Sequence, residues 1–108
     1  MRLEINQQKG SAMRAFVIVQ EDVHDQKTFD EYRKDVIASL QPFHGRFLAR
    51  GGKVTMLEGD RMPERTVLLE FPSRSEAEGW YHSPAYQKIL PLRLKSSTGH
   101  FFICDGTD

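Results

Sequence analysis

The stretch ARGGKVTMLEGD, residues 49–60, decides how many strands the chain forms, because two adjacent glycines interrupt a strand-like pattern. A phosphate-binding loop needs G-x-x-x-x-G-K-[ST] between a strand and a helix, whereas here Val54 follows Lys53 and more strand pattern comes next. A two-residue Gly-Gly hairpin is locally possible, since glycine adopts the positive φ of such turns. One long strand over residues 45–59, bent at the glycines, fits the remaining elements better and predicts the hairpin at residues 59–64.

Apolar runs and helix-start signals alternate in a fixed order on either side of this stretch. A first helix is predicted to begin at Asp25 or Thr28, and a second at Ser73. The second helix is predicted to be interrupted at the HSP of residues 82–84 and to end or kink at Pro91. The order predicts an α+β, ferredoxin-like βαββαβ fold, with two helices on one face of an antiparallel sheet. The other strands are predicted at AFVIVQEDV from Ala15, RTVLLEF from Arg65 and HFFICDG from His100.

The predicted strands are apolar on both faces. In the first strand, Phe16 and Ile18 alternate with Val17 and Val19, and the later strands show the same pattern. An antiparallel sheet with one face in water should instead alternate apolar and polar residues. The helices cover one face only, and no residues are left in the chain to cover the other. The simplest structure that covers it is the sheet of a second copy of the chain. We therefore predict a symmetric homodimer formed through the sheet faces.

Length and charge exclude several classes of protein. The 108 residues suit one domain, predicted at residues 13–106, after a polar N-terminal extension at residues 1–12 that is either disordered or not native. Lys plus Arg and Asp plus Glu are 15 each, and this balance argues against a nucleic-acid partner. No apolar run approaches the ~18 residues of a membrane span. A single cysteine and the lack of a signal-peptide pattern predict a cytoplasmic protein.

Several short motifs follow one another along the chain: Asp25, Phe29 and Tyr32-Arg33, GRFLARGG at 45–52, LEGD at 57–60, EFPS at 70–73, WYHSPAYQKILPLR at 80–93 and CDG at 104–106. In this order and spacing they are similar to the motifs of the family called domain of unknown function 1330, in the dimeric α+β barrel superfamily. The resemblance implies a ferredoxin-like protomer that pairs sheet to sheet, in agreement with the strand pattern. One departure is His44-Gly45, where the family usually has a glycine pair, and it places an imidazole near the expected rim.

The family has no established reaction. Superfamily relatives include cofactor-free monooxygenases, muconolactone-type isomerases, haem-degrading enzymes and structural or sensing domains, and the fold does not choose among them. The scattered histidines have no metal-ligand spacing, so we predict no metal and no cofactor.

Residues that match the motifs supply a candidate site. We predict Glu58 as proton acceptor and Arg50 as the planar donor to a carboxylate or enolate, with a rim histidine as the alternative base. The predicted substrate-binding residues are Trp80, Tyr81, Tyr86, Arg93, His44 and His82. The competing interpretation is structural: Arg50 or Arg93 pairs with Glu58 or Glu70, and the aromatics fill the core or the dimer interface.

Two functional hypotheses stay open at this point. The first is a small-molecule site in each protomer, with cofactor-independent oxygenase or isomerase chemistry on a small organic acid or aromatic. The second is a non-catalytic dimeric domain that binds a metabolite or a protein. The sequence favours the second hypothesis slightly, because it contains no legible pair of nucleophile and base and no metal-ligand set, but it does not decide whether the chain is an enzyme.

Overall fold

The computed structural model describes residues 13–108, so the predicted extension at residues 1–12 lies outside the described residues. Four antiparallel strands form one sheet in the order β2-β3-β1-β4, and the helices pack on one of its faces. The predicted α+β, ferredoxin-like fold is confirmed. The elements are β1 (Ala15–Val23), α1 (Gln26–Leu40), a 3₁₀ turn (Gln41–Phe43), β2 (Arg46–Arg50), β3 (Arg65–Phe71), α2 (Arg74–His82), α3 (Pro84–Ser96) and β4 (Ser97–Asp105).

The helices begin where local side chains can satisfy their free backbone N–H groups. Asp25, Ser73 and Ser83 precede α1, α2 and α3, and each side chain accepts a hydrogen bond from the backbone N–H three residues later. Of the two alternatives predicted for Pro91, the end of the helix is wrong, since α3 continues to Ser96, and the kink stays a prediction. Pro91 lies on the exposed side of α3, and the buried residues on either side of it hold the helix against the sheet.

The glycine stretch is not part of a long strand. Strand β2 ends at Arg50, and residues 51–64 form neither helix nor strand, so both the long bent strand and the hairpin at residues 59–64 are wrong. Gly51 has φ +75°, which turns the chain out of the sheet, and a Cβ there would lie 2.6 Å from Arg65 Nη1. The bend instead occurs before the glycines, as a register shift between Phe47 and Ala49.

The pleat of β1 separates the two faces of the sheet. Ala15, Val17, Val19 and Glu21 point towards the helices and are buried, whereas the residues between them are less buried. Trp80 of α2 lies at the centre of this helix-facing core, with its ring centroid 4.3 Å from that of Tyr86, 5.5 Å from Phe71 and 6.0 Å from Phe101. Within residues 13–108, none of the helices has both the length and the apolarity needed to cross a bilayer.

Candidate functional site

A cavity of about 30 Å³ lies between the helices and the sheet, around the end of β1 that carries Glu21. Five charged side chains line it, together with apolar residues of the core. This volume is enough for about two water molecules or a small polar group. The cavity opens between α1 and β2, because the lining residues Arg33, Phe47 and Arg50 are exposed or half-buried there; we call these three the mouth. The charged lining residues are Glu21, Arg33, Arg50, Arg65 and Arg93.

Glu21 is the buried carboxylate of the cavity. It continues the helix-facing row of β1, faces Arg65 of β3 in the strand register and is 4% exposed. Its Oε2 accepts a hydrogen bond from Arg65 Nε at 3.3 Å, while Oε1 has no hydrogen-bond partner among the described residues. Burial raises the pKa of Glu21, against the opposing effects of the Arg65 and Arg93 charges and of the polar side chains of Arg65 and Ser97. A carboxylate with one free oxygen and a raised pKa is suited to accept a proton.

Arg93 reaches the cavity from α3 and is held by two tyrosines. Its Nε donates to the Tyr86 hydroxyl at 3.1 Å, and that hydroxyl lies 2.9 Å from the hydroxyl of Tyr32. Burial raises the pKa of both tyrosines, and that of Tyr32 to well above its usual value, so both remain neutral. The Arg93 guanidinium carbon also lies 4.3 Å from the centre of the Phe101 ring. These contacts fix a buried cation beside the cavity.

Arg50 brings a second cation to the cavity, from the sheet. It ends β2, and its guanidinium carbon lies 4.2 Å from the centre of the Phe47 ring. Within residues 13–108 Arg50 makes no ion pair, and its Nε is buried without a hydrogen-bond partner. Burial lowers the pKa of Arg50, and repulsion from Arg33 and Arg65 adds to this effect. An anion bound at the mouth would offset both the burial of the Arg50 charge and its repulsion from the other two arginines.

The structure brings together only part of the predicted site. Arg50, Arg93 and Trp80 line the cavity, and Tyr86 lies behind Arg93. Glu58 is exposed in the segment of residues 51–64 and does not line the cavity.

The other predicted binding residues lie elsewhere. His44 ends the 3₁₀ turn with φ +61°, and its Nδ1 lies 2.7 Å from Glu76 Oε2 at the surface. Tyr81 and His82 contact each other edge to face, with centroids 5.3 Å apart, and line a surface groove beside β4. Their roles stay predictions.

Ion pairs of buried carboxylates do form, but with other arginines than Arg50 and Arg93. Glu70 pairs with Arg14 and Arg46, and Glu21 pairs with Arg65. In the part of the chain that the structure describes, neither Arg50 nor Arg93 has a carboxylate within ion-pair distance.

Glu21 was missed by reasoning from the sequence. The signal was present, because Glu21 follows Ala15, Val17 and Val19 at the same two-residue spacing and so falls on the buried face.

Within residues 13–108, no three His, Cys, Asp or Glu side chains lie together as a group that could hold a metal ion.

Three solved structures share this fold. A protein of unknown function from Rhodopseudomonas palustris has a TM-score of 0.73 at 13% identity, covering 89% of this chain and 84% of its own. SnoaB, a cofactor-independent oxygenase from Streptomyces nogalater, has a TM-score of 0.57 at 12% identity, covering 91% and 96%. A protein from Nitrosomonas europaea, provisionally described as an antibiotic biosynthesis monooxygenase, has a TM-score of 0.53 at 14% identity, covering 92% and 95%. At these identities the likeness shows the fold alone.

Sequence comparison identifies the family. No curated protein matches the chain in sequence. The family model described as "Domain of unknown function (DUF1330)" matches residues 14–107, which include all the motifs that resemble that family. The chain therefore belongs to the DUF1330 family.

Proposed function

We propose that each protomer binds a small organic acid in the cavity between helices and sheet and removes a proton from it. The observation that carries this proposal is a pair of buried atoms, Glu21 Oε1 and Arg50 Nε, which lack hydrogen-bond partners among the described residues. Both belong to residues that line the same cavity. Buried polar atoms are nearly always hydrogen-bonded, so a ligand that donates to Glu21 and accepts from Arg50 would satisfy both.

The arrangement supports a reaction that begins with proton abstraction. Glu21 would accept the proton, and the negative charge that develops on the ligand would be stabilised by Arg50 and Arg93. The apolar walls, which include Trp80 and Phe101, would keep water away and strengthen these electrostatic interactions. Glu21 takes the role that the sequence suggested for Glu58, which stays a candidate.

Two reaction types share this first step. In an isomerase, protonated Glu21 returns the proton to a different carbon of the ligand. In an oxygenase without a cofactor, the ligand carbanion gives electrons to dioxygen, which is reduced as the carbon is oxidised. The cofactor-independent oxygenase SnoaB shares the fold and so lends support to the second type, by fold alone. The small cavity favours an organic acid over an aromatic in both cases.

Exchange of ligand hydrogen for solvent deuterium, followed by NMR, tests the proposal, because it detects proton abstraction whatever step comes next. A set of small organic acids with acidic C–H bonds would be incubated with the protein in D₂O. We expect the substitution Glu21→Gln to slow the enzyme-dependent exchange of an active acid by about 100-fold, since a positioned general base contributes at least that much.

Glu58→Gln is the matched control for this experiment, because it removes an exposed carboxylate outside the cavity. Its exchange rate should equal that of the wild type. If Glu58→Gln abolished exchange and Glu21→Gln kept it, the base would be Glu58 and our assignment would be overturned.

A second candidate function is binding without chemistry. The hydrogen bond from Arg65 and the nearby charge of Arg93 both oppose the rise in the pKa of Glu21, which weakens it as a base. An acid that raises the melting temperature but shows no deuterium exchange would assign the cavity to this role.

We also propose that the chain forms a homodimer through the sheet face opposite the helices. Phe16, Ile18, Leu68 and Phe102 lie on this face, and Phe102 is 45% exposed. Burial of such an apolar face against a second copy would be favourable by about 25 cal/mol for each Å² of apolar surface removed from water. A cytoplasmic location remains a prediction.

The substitution Leu68→Asp should convert the dimer into a monomer, because it buries an unpaired charge at the proposed interface. Sedimentation equilibrium at micromolar concentration would measure the mass, and circular dichroism would check that the variant is folded. Leu94→Asp is the control, because Leu94 is 60% exposed on α3, away from the sheet face. A monomeric wild type, or a folded Leu68→Asp variant that stays dimeric, would contradict the proposal.

A further inference from the structure

We infer that the ligand of the cavity is a short-chain monocarboxylate, and that Arg50 holds its carboxylate group at the mouth. The inference rests on the small-molecule site proposed above and names the chemical class that this site takes. Three separate properties of the described residues support it: the balance of charge around the cavity, the orientation of its arginines and its size.

The charge around the cavity is positive. Glu21 is the one carboxylate among the lining residues that the structure describes, and Arg65 pairs with it. Arg33 Nη1 lies 3.7 Å from Asp30 Oδ1 at the surface. The two remaining arginines of the lining, Arg50 and Arg93, have no carboxylate partner in residues 13–108. Two unneutralised guanidinium groups beside a partly desolvated cavity favour an anionic ligand over a neutral one.

The arginines differ in what they can still bind. The guanidinium carbons of Arg50 and Arg93 lie over aromatic rings of the sheet, 4.2 Å from the centre of the Phe47 ring and 4.3 Å from that of Phe101 respectively. A guanidinium held over the face of a ring can still donate from its N–H groups to the two oxygens of a carboxylate. The Nε of Arg93 is already used by Tyr86, whereas the Nε of Arg50 is unpartnered. Arg50 is therefore the open donor for a planar anion.

The size of the cavity limits the length of the carbon chain that the carboxylate can carry. A volume of about 30 Å³, enough for about two water molecules, favours a carboxylate with a chain of one or two carbons over one that carries an aromatic ring. Arg50 lies at the mouth beside Phe47, so the carboxylate would sit at the entrance and the short chain would point towards Glu21.

The direct test is to observe the Arg50 Nε–H group by NMR in ¹⁵N-labelled protein during titration with acetate. The signal is assigned by its loss in Arg50→Lys. We expect a saturable shift of this signal with a Kd on the order of 1 mM, since so small a ligand cannot bind much more tightly. Formate and propionate should cause similar shifts, whereas benzoate, chloride and the neutral analogue acetamide should cause none.

Two variants separate the specific contact from general charge. Arg50→Lys keeps the positive charge but loses the planar fork, so acetate binding, followed through the Trp80 indole N–H signal, should weaken about 10-fold or more. Arg61→Lys changes an exposed arginine that pairs with Asp22 outside the cavity, and acetate binding should equal that of the wild type.

The remaining outcomes each contradict the inference in an identifiable way. Preference for phosphate, equal binding of acetamide, or unchanged affinity in Arg50→Lys would overturn the assignment to a carboxylate at Arg50. If no short-chain monocarboxylate bound but another small organic acid shifted the Trp80 signal, the site proposed above would stand and the assignment to a short-chain monocarboxylate would be wrong. If no compound in a broad screen of metabolites shifted the cavity signals, both would fall.

Discussion

The substitution Trp80→Ala should lower the free energy of unfolding by about 3–5 kcal/mol, the usual cost of truncating a buried tryptophan to alanine. Trp80 is 1% exposed and contacts rings from β3, α3 and β4, so its removal leaves a cavity that no single element can fill. Its indole N–H also donates to Ser39 Oγ at 3.0 Å, which ties α2 to α1. Ser39 itself remains hydrogen-bonded to the Val36 carbonyl, so the cost comes mainly from lost packing.

Denaturation by urea, followed by far-UV circular dichroism, measures this loss. Fluorescence is unsuitable, because Trp80 is the only tryptophan. Leu94→Ala serves as the control, since Leu94 is largely exposed, and its effect should stay within about 0.5 kcal/mol. A loss below about 1.5 kcal/mol for Trp80→Ala would show that this aromatic cluster is not the centre of the core.

The substitution Gly99→Ala should lower the free energy of unfolding by about 3 kcal/mol, the upper part of the usual range for overpacking. Gly99 of β4 lies opposite Glu21 of β1, and a Cβ there would overlap the Gln20 carbonyl oxygen and lie 2.7 Å from Glu21 Cα. The obstacle is backbone rather than a flexible side chain, so β4 must move away from β1. Because Glu21 carries the proposed base, acetate binding should weaken as well.

Gly52→Ala provides the matched glycine control. A Cβ at Gly52 would have no atom within 4 Å, so its effect on stability should be within about 0.5 kcal/mol. Thermal unfolding of both variants and the wild type, at the same protein concentration, makes the comparison. Equal stability of Gly99→Ala and Gly52→Ala would mean that β1 and β4 are not in the described register.

The helix starts and the buried strands could be predicted from the sequence, because local contacts decide both. A capping side chain such as Asp25 or Ser83 bonds to a backbone group three residues away, so the signal and its target lie in one short window. The apolar pattern of β1 likewise reports burial directly. The ferredoxin-like fold that these signals predict is confirmed by the strand order, and the family resemblance by the match to the family model.

The glycine stretch shows where local reasoning failed. Two glycines in a strand-like run are compatible with a turn, a bend or a strand end, and the local sequence gives them similar weight. Strand β2 ends at Arg50, directly before Gly51, whose φ of +75° lies outside the range that strands adopt. The bend itself lies at the register shift between Phe47 and Ala49, where β2 pairs with β3, and no turn residue marks it.

The candidate site could be predicted only in part. Arg50, Trp80, Tyr86 and Arg93 were identified by residue type and motif, and the structure places all four in or beside one cavity. Choosing the carboxylate required the fold, because Glu58 is near Arg50 along the chain but lies outside the cavity lining.

The sequence by itself determined the class of fold, the positions of the helix starts and the two apolar faces of the sheet, since each depends on hydrogen bonds or side-chain alternation within a few residues. Only the tertiary structure decided which charges meet. Glu21 and Arg65 are 44 residues apart and face each other because β1 pairs with β3 in one register. A shift of one residue would turn Glu21 towards the other face, so the buried carboxylate of this site is a consequence of strand pairing.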